Sequence, residues 1–505
     1  MTAPSNKRSI VLGVIGLMLV TFGAVLVFLV PVIMRQQVEK NVRIDPSSGF
    51  AFEMWRDLPV PFFMSIYIFE VMNTKEVLLG EKPRVEQRGP YVYSERKQKT
   101  NLTFNENGTV SFVELRTLHF NPEMSAGTEE DFIVVPNILV LGSAMMMKDL
   151  SVPVKWIISG AFTSFSQEPF MNRTVKDILW GYDEPFLNFI NAILPGKLPF
   201  KGKFGLFADF NNTDSGRFTV NTGVEDISKV QMVDTWNGLK EVNYWNSEEA
   251  NMINGTAGQM WPPFRTPSQP LEFYSPEACR SLTLVYEKEE SFRGIPTYRY
   301  TSPDYLFANG TDYSPNEGFC PCVASGVMNV SSCRFNAPLF LSFPHFYKAD
   351  PGFVQAVDGL HPNEKLHSLF LDLHPLTGIP MNCSIKMQLS ILTMGVNGIM
   401  QTGKIKPVIL PILWFAESGY LDGPVYSTYY NTLIVLPLVL DYLQYILIAV
   451  GLFLILIAAI IPFVNQEKIL FWSSNKKLDE NLDITKAQKE KLTSSNGTVI
   501  LEAKL

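Results

Sequence analysis

Residues 9–34 read SIVLGVIGLMLVTFGAVLVFLVPVIM, and residues 442–463 read YLQYILIAVGLFLILIAAIIPF; neither run contains a charged side chain. A helix needs about 20 apolar residues to cross the hydrocarbon core, where lipid offers its backbone groups no partners. Both runs are long enough. Lys7 and Arg8 before the first run would suit a secretory leader. The apolar stretch is too long for one, however, and no small-x-small cleavage site ends it. An uncleaved anchor is therefore expected. The second run has Asp441 at its edge, Tyr442 and Tyr445 where an aromatic belt would lie, and Phe471 and Trp472 beyond its other end. Those flanks suit a membrane span better than a buried core helix.

Charge gives the orientation. Lys7 and Arg8 compete with Arg35, Lys40 and Arg43 around the first run, so that span is ambiguous. Around the second, no Lys or Arg occurs between Lys406 and Lys468, and Lys476 and Lys477 follow. The positive-inside rule then places the tail in the cytoplasm and the long loop outside, with both termini cytoplasmic. Five segments follow: a stub at 1–8, a span at 9–34, an extracellular domain at 35–440, a span at 441–463 and a tail at 464–505. The tail is polar, rich in Lys and Glu, with too few apolar residues to fold alone.

The loop carries Asn-x-Ser/Thr at Asn101, Asn107, Asn172, Asn211, Asn254, Asn309, Asn329 and Asn382. One such triplet arises by chance, whereas eight in one loop argue for N-glycosylation and the secretory route. Asn496 also matches but falls in the expected cytoplasmic tail. All five cysteines lie in the loop, at 279, 320, 322, 333 and 383. Disulfides are the default outside the cell, and an odd count leaves one unpaired. Cys383, fifty residues from its nearest neighbour in sequence, is the expected free thiol. Cys320-Pro-Cys322 lacks the two-residue spacer of a structural zinc site. Connectivity of the other four is not fixed by spacing.

The chain has 505 residues and a net charge of −7, which gives no reason to expect nucleic acid as a partner. Within the loop, segments 131–141, 282–286, 367–373, 386–394 and 408–415 are β-branched, aromatic and bounded by Gly, Pro or Asn, which predicts strands. Region 153–194 differs. Val154, Ile157, Ile158, Ala161, Phe162 and Phe165 recur on one helical face. Thr174 with Asp177 resembles a capping box opening a second helix at Val175, which Pro185 would kink or end. The expected fold is α+β, a β-rich core with a helical insertion.

No Gly-x-Ser-x-Gly elbow, HExxH or Walker A loop is present, so no enzyme and no cofactor are indicated. His361, His367 and His374 fall near Glu364 and Asp372. On one strand His367 and His374 would face opposite sides, so polar strand ends explain them better than a metal. Lys148, Lys155, Arg173 and Lys176 are candidate cations for a ligand, against a solvated surface intermixed with Glu168, Asp177, Asp183 and Glu184. Gly13, Gly16 and Gly23 share one face of the first span, which would let helices approach closely and self-associate. The terminal Lys504 and Leu505 would suit a PDZ groove, where a carboxylate and an apolar side chain are read by strand addition.

Gly89-Pro-Tyr-Val-Tyr93, Asn41-Val-Arg-Ile-Asp-Pro46, Pro136-Asn-Ile-Leu-Val-Leu-Gly142, Met252-Ile-Asn-Gly-Thr256, Gly258-Gln-Met-Trp-Pro-Pro263, Asn316-Glu-Gly-Phe-Cys-Pro-Cys322, Ser368-Leu-Phe-Leu-Asp372 and Thr402-Gly-Lys404 resemble the class B scavenger receptors along essentially the whole chain. The ending Glu502-Ala-Lys-Leu505 is similar to the branch that binds high-density lipoprotein. The resemblance implies a β-barrel-like ectodomain, an apical helical bundle at about 150–195 that meets ligand, and a lipid tunnel toward the membrane. It implies the pairs Cys279–Cys333 and Cys320–Cys322. It further implies a plasma-membrane receptor, in caveolae or raft domains, for high-density lipoprotein and its apolipoproteins. Such a receptor passes cholesteryl ester, cholesterol and phospholipid and engages a PDZ scaffold protein. Relatives' acylated cysteines at the membrane boundary have no counterpart here. A lysosomal hydrolase carrier of the same family is disfavoured because the tail lacks an acidic dileucine signal. An adhesion receptor without a conduit is the other alternative. The conduit reading requires an apolar passage; an interior filled with side chains or lined by charge leaves a docking receptor.

Overall fold

The structure, a computed structural model, describes residues 4–58, 60–193, 203–208 and 210–496. The chain divides into two compact units, residues 1–36 with 430–505, and residues 37–429. The expected PDZ ligand, Lys504 and Leu505, lies outside the described residues.

The first unit is built on two long helices, Pro4–Val42 and Leu436–Asn496. Both are long and apolar enough to cross a membrane. A Cβ on Gly16 would stand 2.7 Å from the Gly451 carbonyl oxygen, and one on Gly23 would stand 2.7 Å from Ile448. Gly13 faces Ala458, and Ser9 Oγ donates to the Ala458 carbonyl. The small-residue face expected to let helices self-associate packs here against the chain's own second helix. Glycine allows close approach without choosing the partner. The tail also departs from expectation, since helix continues without a break to Asn496.

Among the described residues the second unit is organised by a thirteen-stranded sheet, in which Val327–Asn329 and Leu339–Ser342 branch off one strand and eleven form the main path: Phe62–Val71 (β1), Val85–Phe104 (β2), Thr109–Phe120 (β3), Thr213–Asn221 (β4), Val233–Trp236 (β5), Leu271–Ser275 (β6), Arg280–Phe292 (β7), Ile295–Thr301 (β8), Phe370–His374 (β9), Ile379–Thr393 (β10) and Val408–Tyr420 (β11). Neighbours are antiparallel from β1 to β5 and from β6 to β11, and β11 returns to pair with β1, placing Ile66 opposite Phe415. The remaining gap is bridged by Gly255 and Thr256. Val233 donates to the Gly255 carbonyl, Thr256 donates to Glu272, and Tyr274 donates to Thr256. The sheet therefore closes into a ring, which leaves no open edge at this seam. Gly255 has φ +85°, and a Cβ there would collide with the Glu272 carbonyl. Only glycine can bring the backbone this close.

A short helix, Phe50–Arg56 (α1), precedes β1, and the helical insertion comprises Ile138–Met146 (α2), Val152–Ser164 (α3), Val175–Trp180 (α4) and Pro185–Ile193 (α5). Segment 131–141, expected as one strand, splits at Asn137. Phe132–Pro136 pairs with Phe170–Thr174, and Asn137 Oδ1 then caps α2 by accepting from Leu139 and Val140. The apolar composition suited either structure, and the cap decided it. Thr174 Oγ1 accepts from the Asp177 amide and opens α4. Pro185 does not kink that helix. It ends at Gly181, and Pro185 starts α5, where its missing N–H costs nothing.

Candidate functional site

Side chains from non-adjacent strands meet on the concave face of the ring, and that face is layered. In one layer Tyr93, Leu118, Ile66 and Leu413 pack against Ile133, Val175, Ile178 and Leu179. Tyr93 stands edge-on to Trp180 at 4.9 Å, and its hydroxyl donates to Glu129. Phe120, Phe207, Phe210 and Phe415 flank this cluster. The layer is apolar, and it is filled by α4 and the Phe132–Pro136 strand.

Two residues further along β2 the chemistry changes. Glu95, with 1% of its side chain exposed, lies 2.8 Å from Arg116 Nε and 3.7 Å from Lys97. Lys97 is ion-paired with Glu417 across β1. Lys99 lies 3.4 Å from Glu114, and Arg116 lies 3.4 Å from Glu277 beyond β6. Gln259 donates to Glu114. Four carboxylates thus face three cations in a desolvated space. Burial pushes Glu95 upward, to about 7, and a proton on it would balance the cluster. Burial also acts on Glu417, but Lys97 and Arg116 outweigh it and hold that carboxyl low.

Beyond the charges the face becomes aromatic again. Lys99 lies over the rings of Trp55 and Phe112 at 5.0 and 5.6 Å and donates to the Trp55 carbonyl of α1. Phe112 stacks on Phe218, and Tyr274 meets both Phe218 and Trp236. The expectation of an uninterrupted apolar interior is therefore corrected. The concave face alternates apolar, charged and aromatic layers, because the β2 and β3 registers place Lys97 opposite Arg116 and Lys99 opposite Glu114.

The predicted cations are distributed differently from expectation. Lys148 and Lys176 are exposed. Arg173 lies 4.3 Å over the Tyr182 ring. Lys155 is buried, with Nζ donating to the Lys148 carbonyl 2.9 Å away, so it presents no charge to a ligand. On α3 the expected apolar face is only half realised. Phe162 is buried and Ile158, Ala161 and Phe165 pack beside it, while Val154 and Ile157 are exposed together with Trp156. Lys155 takes the inner position because a backbone carbonyl waits for its ammonium.

Two disulfides join Cys279 to Cys333 and Cys320 to Cys322, and Cys383 is a free, half-buried thiol. Among the sequons, Asn101, Asn107, Asn172 and Asn254 are exposed, while Asn211, Asn309, Asn329 and Asn382 are half-buried. Asn211 is stitched to both backbone groups of Leu118, and Asn382 donates to Asp372. His367 stacks on His345 at 4.4 Å, whereas His374 bonds Thr377. Burial pulls His345 down to about 3 and both His367 and His374 to about 4, so all three are neutral.

A sequence profile of the CD36 family matches residues 14–461. The chain belongs to the CD36 family. It is 56% identical to scavenger receptor class B member 1 of Sus scrofa over 98% of this chain and 97% of that one. The protein of the same name from Mus musculus is 57% identical over the same shares. Lysosome membrane protein 2 of Homo sapiens is 34% identical over 83% of this chain and 87% of its own. The family segment Met252–Thr256 is the one that closes the ring, and Tyr91 and Tyr93 of the Gly-Pro-Tyr-Val-Tyr motif supply the apolar layer. Sequence reading missed Glu95, Lys97, Lys99, Glu114, Arg116, Glu277 and Glu417. The available signal was parity on β2, where Glu95, Lys97 and Lys99 continue the inward series begun by Tyr91 and Tyr93.

Proposed function

We propose that this chain is a cell-surface receptor for high-density lipoprotein that transfers cholesteryl ester and free cholesterol from a docked particle without taking in the whole particle. The observation that carries this reading is the full-length similarity to scavenger receptor class B member 1, which includes both apolar helices and the ring between them in sequence. The physical need is plain. Burial stabilises apolar chains by about 0.8 kcal/mol per CH₂, so an 18-carbon chain crossing water alone would cost about 14 kcal/mol. A covered apolar route removes most of that barrier, and transfer then runs down a chemical-potential gradient with no nucleotide. The exposed Trp156 and Ile157 of α3 and the cations Lys148 and Lys176 are the surface offered to the particle and its apolipoproteins.

A second reading is a docking or adhesion receptor without a conduit, favoured by the packed and charged layers on the concave face. The two separate in cells expressing this chain and given particles labelled once in the ester and once in the protein. Ester uptake exceeding protein uptake supports transfer; equal uptake of the two labels contradicts it. N-glycans at the eight sequons, a PDZ scaffold at Lys504 and Leu505, cytoplasmic termini and raft residence are parts of the same proposal. Deleting the last three residues is expected to abolish scaffold pulldown.

A further inference from the structure

Beside β6 and β7 lies a cavity of about 600 Å³, a size suited to a small ligand, lined by none of the residues named above on the concave face. Arg280 lines it. Its guanidinium lies 3.6 Å over the Phe319 ring. Its hydrogen bonds go to the Ser281 carbonyl at 3.2 Å, the Leu306 carbonyl at 3.5 Å and the Met328 sulfur at 3.5 Å. Among the described residues, none of the ion pairs involves Arg280. Burial alone pulls its pKa down to about 9, as expected of a cation lacking a counter-charge.

The rest of the lining has a different character. Tyr305 and Tyr313 stack at 4.4 Å, and Tyr286 lines the same space. Glu272, also on the wall, is close enough to Tyr305 to act on its hydroxyl. Glu249 stands at the rim and is exposed. The same lining therefore offers a guanidinium without an ion pair together with aromatic rings and a carboxylate. A simple anion would meet Glu272, and a simple cation would meet Arg280.

We propose that this cavity binds a choline phosphate group, with the phosphate on Arg280 and the quaternary ammonium against Tyr305, Tyr313 and Glu272. Guanidinium is suited to phosphate, and aromatic faces to quaternary ammonium. The site shares no lining residue with the layers described on the concave face, so it does not depend on the route of any apolar lipid.

The test uses the full chain in a maltoside detergent, with calorimetric titration of soluble phosphocholine, choline chloride and inorganic phosphate. Phosphocholine is expected to bind at least tenfold tighter than either fragment. Arg280→Gln is expected to lose at least tenfold for phosphocholine. Glu272→Gln, on an exposed side chain with little risk to folding, is expected to weaken phosphocholine several-fold while strengthening inorganic phosphate. That opposite sign is what a merely damaged protein would not show. Nanodiscs of phosphatidylcholine against phosphatidylglycerol then distinguish a lipid-borne headgroup from the free metabolite: preference for the former assigns the lipid source, and equal retention assigns the soluble one. Phosphate binding as tightly as phosphocholine, or unchanged affinity in both variants, overturns the proposal.

Discussion

Tyr93 and Glu95 lie two residues apart on one strand and face the same way, yet they belong to different worlds. Tyr93 sits among Ile66, Leu118 and Leu413, with its hydroxyl satisfied by Glu129. Glu95 is also buried but is held between Lys97 and Arg116. The difference teaches that strand alternation decides which way a side chain points and not what medium it meets. The apolar layer gains by excluding water. The charged layer must be complete to be tolerable, because desolvation is repaid only if each charge keeps its partner.

The most damaging break in this comparison is expected from Arg116→Met. It removes the cation shared by Glu95 and Glu277 and should cost about 3–5 kcal/mol, read as a lower chemical-denaturation midpoint of the purified chain. Leu118→Ala in the apolar layer should cost about 3 kcal/mol through the cavity it leaves, with no change in the pH dependence of stability. A smaller effect with a distinctive sign is expected at Glu95. Its folded pKa is raised, so the folded form keeps a proton that the unfolded form releases between about pH 4.5 and 7, and stability falls as pH rises through that window. Glu95→Gln removes this slope, and its stability relative to the parent should grow by about 2 kcal/mol between pH 5 and pH 7. Denaturation midpoints at pH 5 and 7 check it; parallel curves for the two proteins would refute the assignment. The mildest break is Tyr93→Phe, expected to cost about 1 kcal/mol by leaving Glu129 and Trp180 without the hydroxyl.

Much of the architecture was legible. Uncharged runs of sufficient length gave two candidate spans, and β-branched segments at 282–286 and 408–415 lie within β7 and β11, while 386–394 overruns the end of β10 by one residue. Thr174 gave the start of α4 because a cap is a local signal. Ring closure was not legible, since it depends on two backbone groups at Gly255 and Thr256 meeting strands far away in sequence. Nor was the charged layer. Lys97, Lys99 and Arg116 have the composition of a solvated surface, and only the register that brings Glu417 and Glu277 to them makes them interior groups. Lys155 misled for the same reason, because its buried acceptor is a backbone carbonyl that no side-chain pattern reveals.

The central claim is that apolar lipid leaves a docked particle under the cover of this chain, and the apolar layer of the concave face is where such a route would be touched, since the charged layer around Glu95 and Arg116 interrupts that face further on. A photoactivatable cholesteryl ester carried in a reconstituted particle, cross-linked to cells expressing this chain and mapped by peptide mass spectrometry, tests it most directly. Adducts on Phe120, Phe210 or Phe415 are the predicted result. Adducts confined to Trp156, Ile157 and their neighbours on α3, with the concave face unlabelled, would contradict it and leave a receptor that only docks.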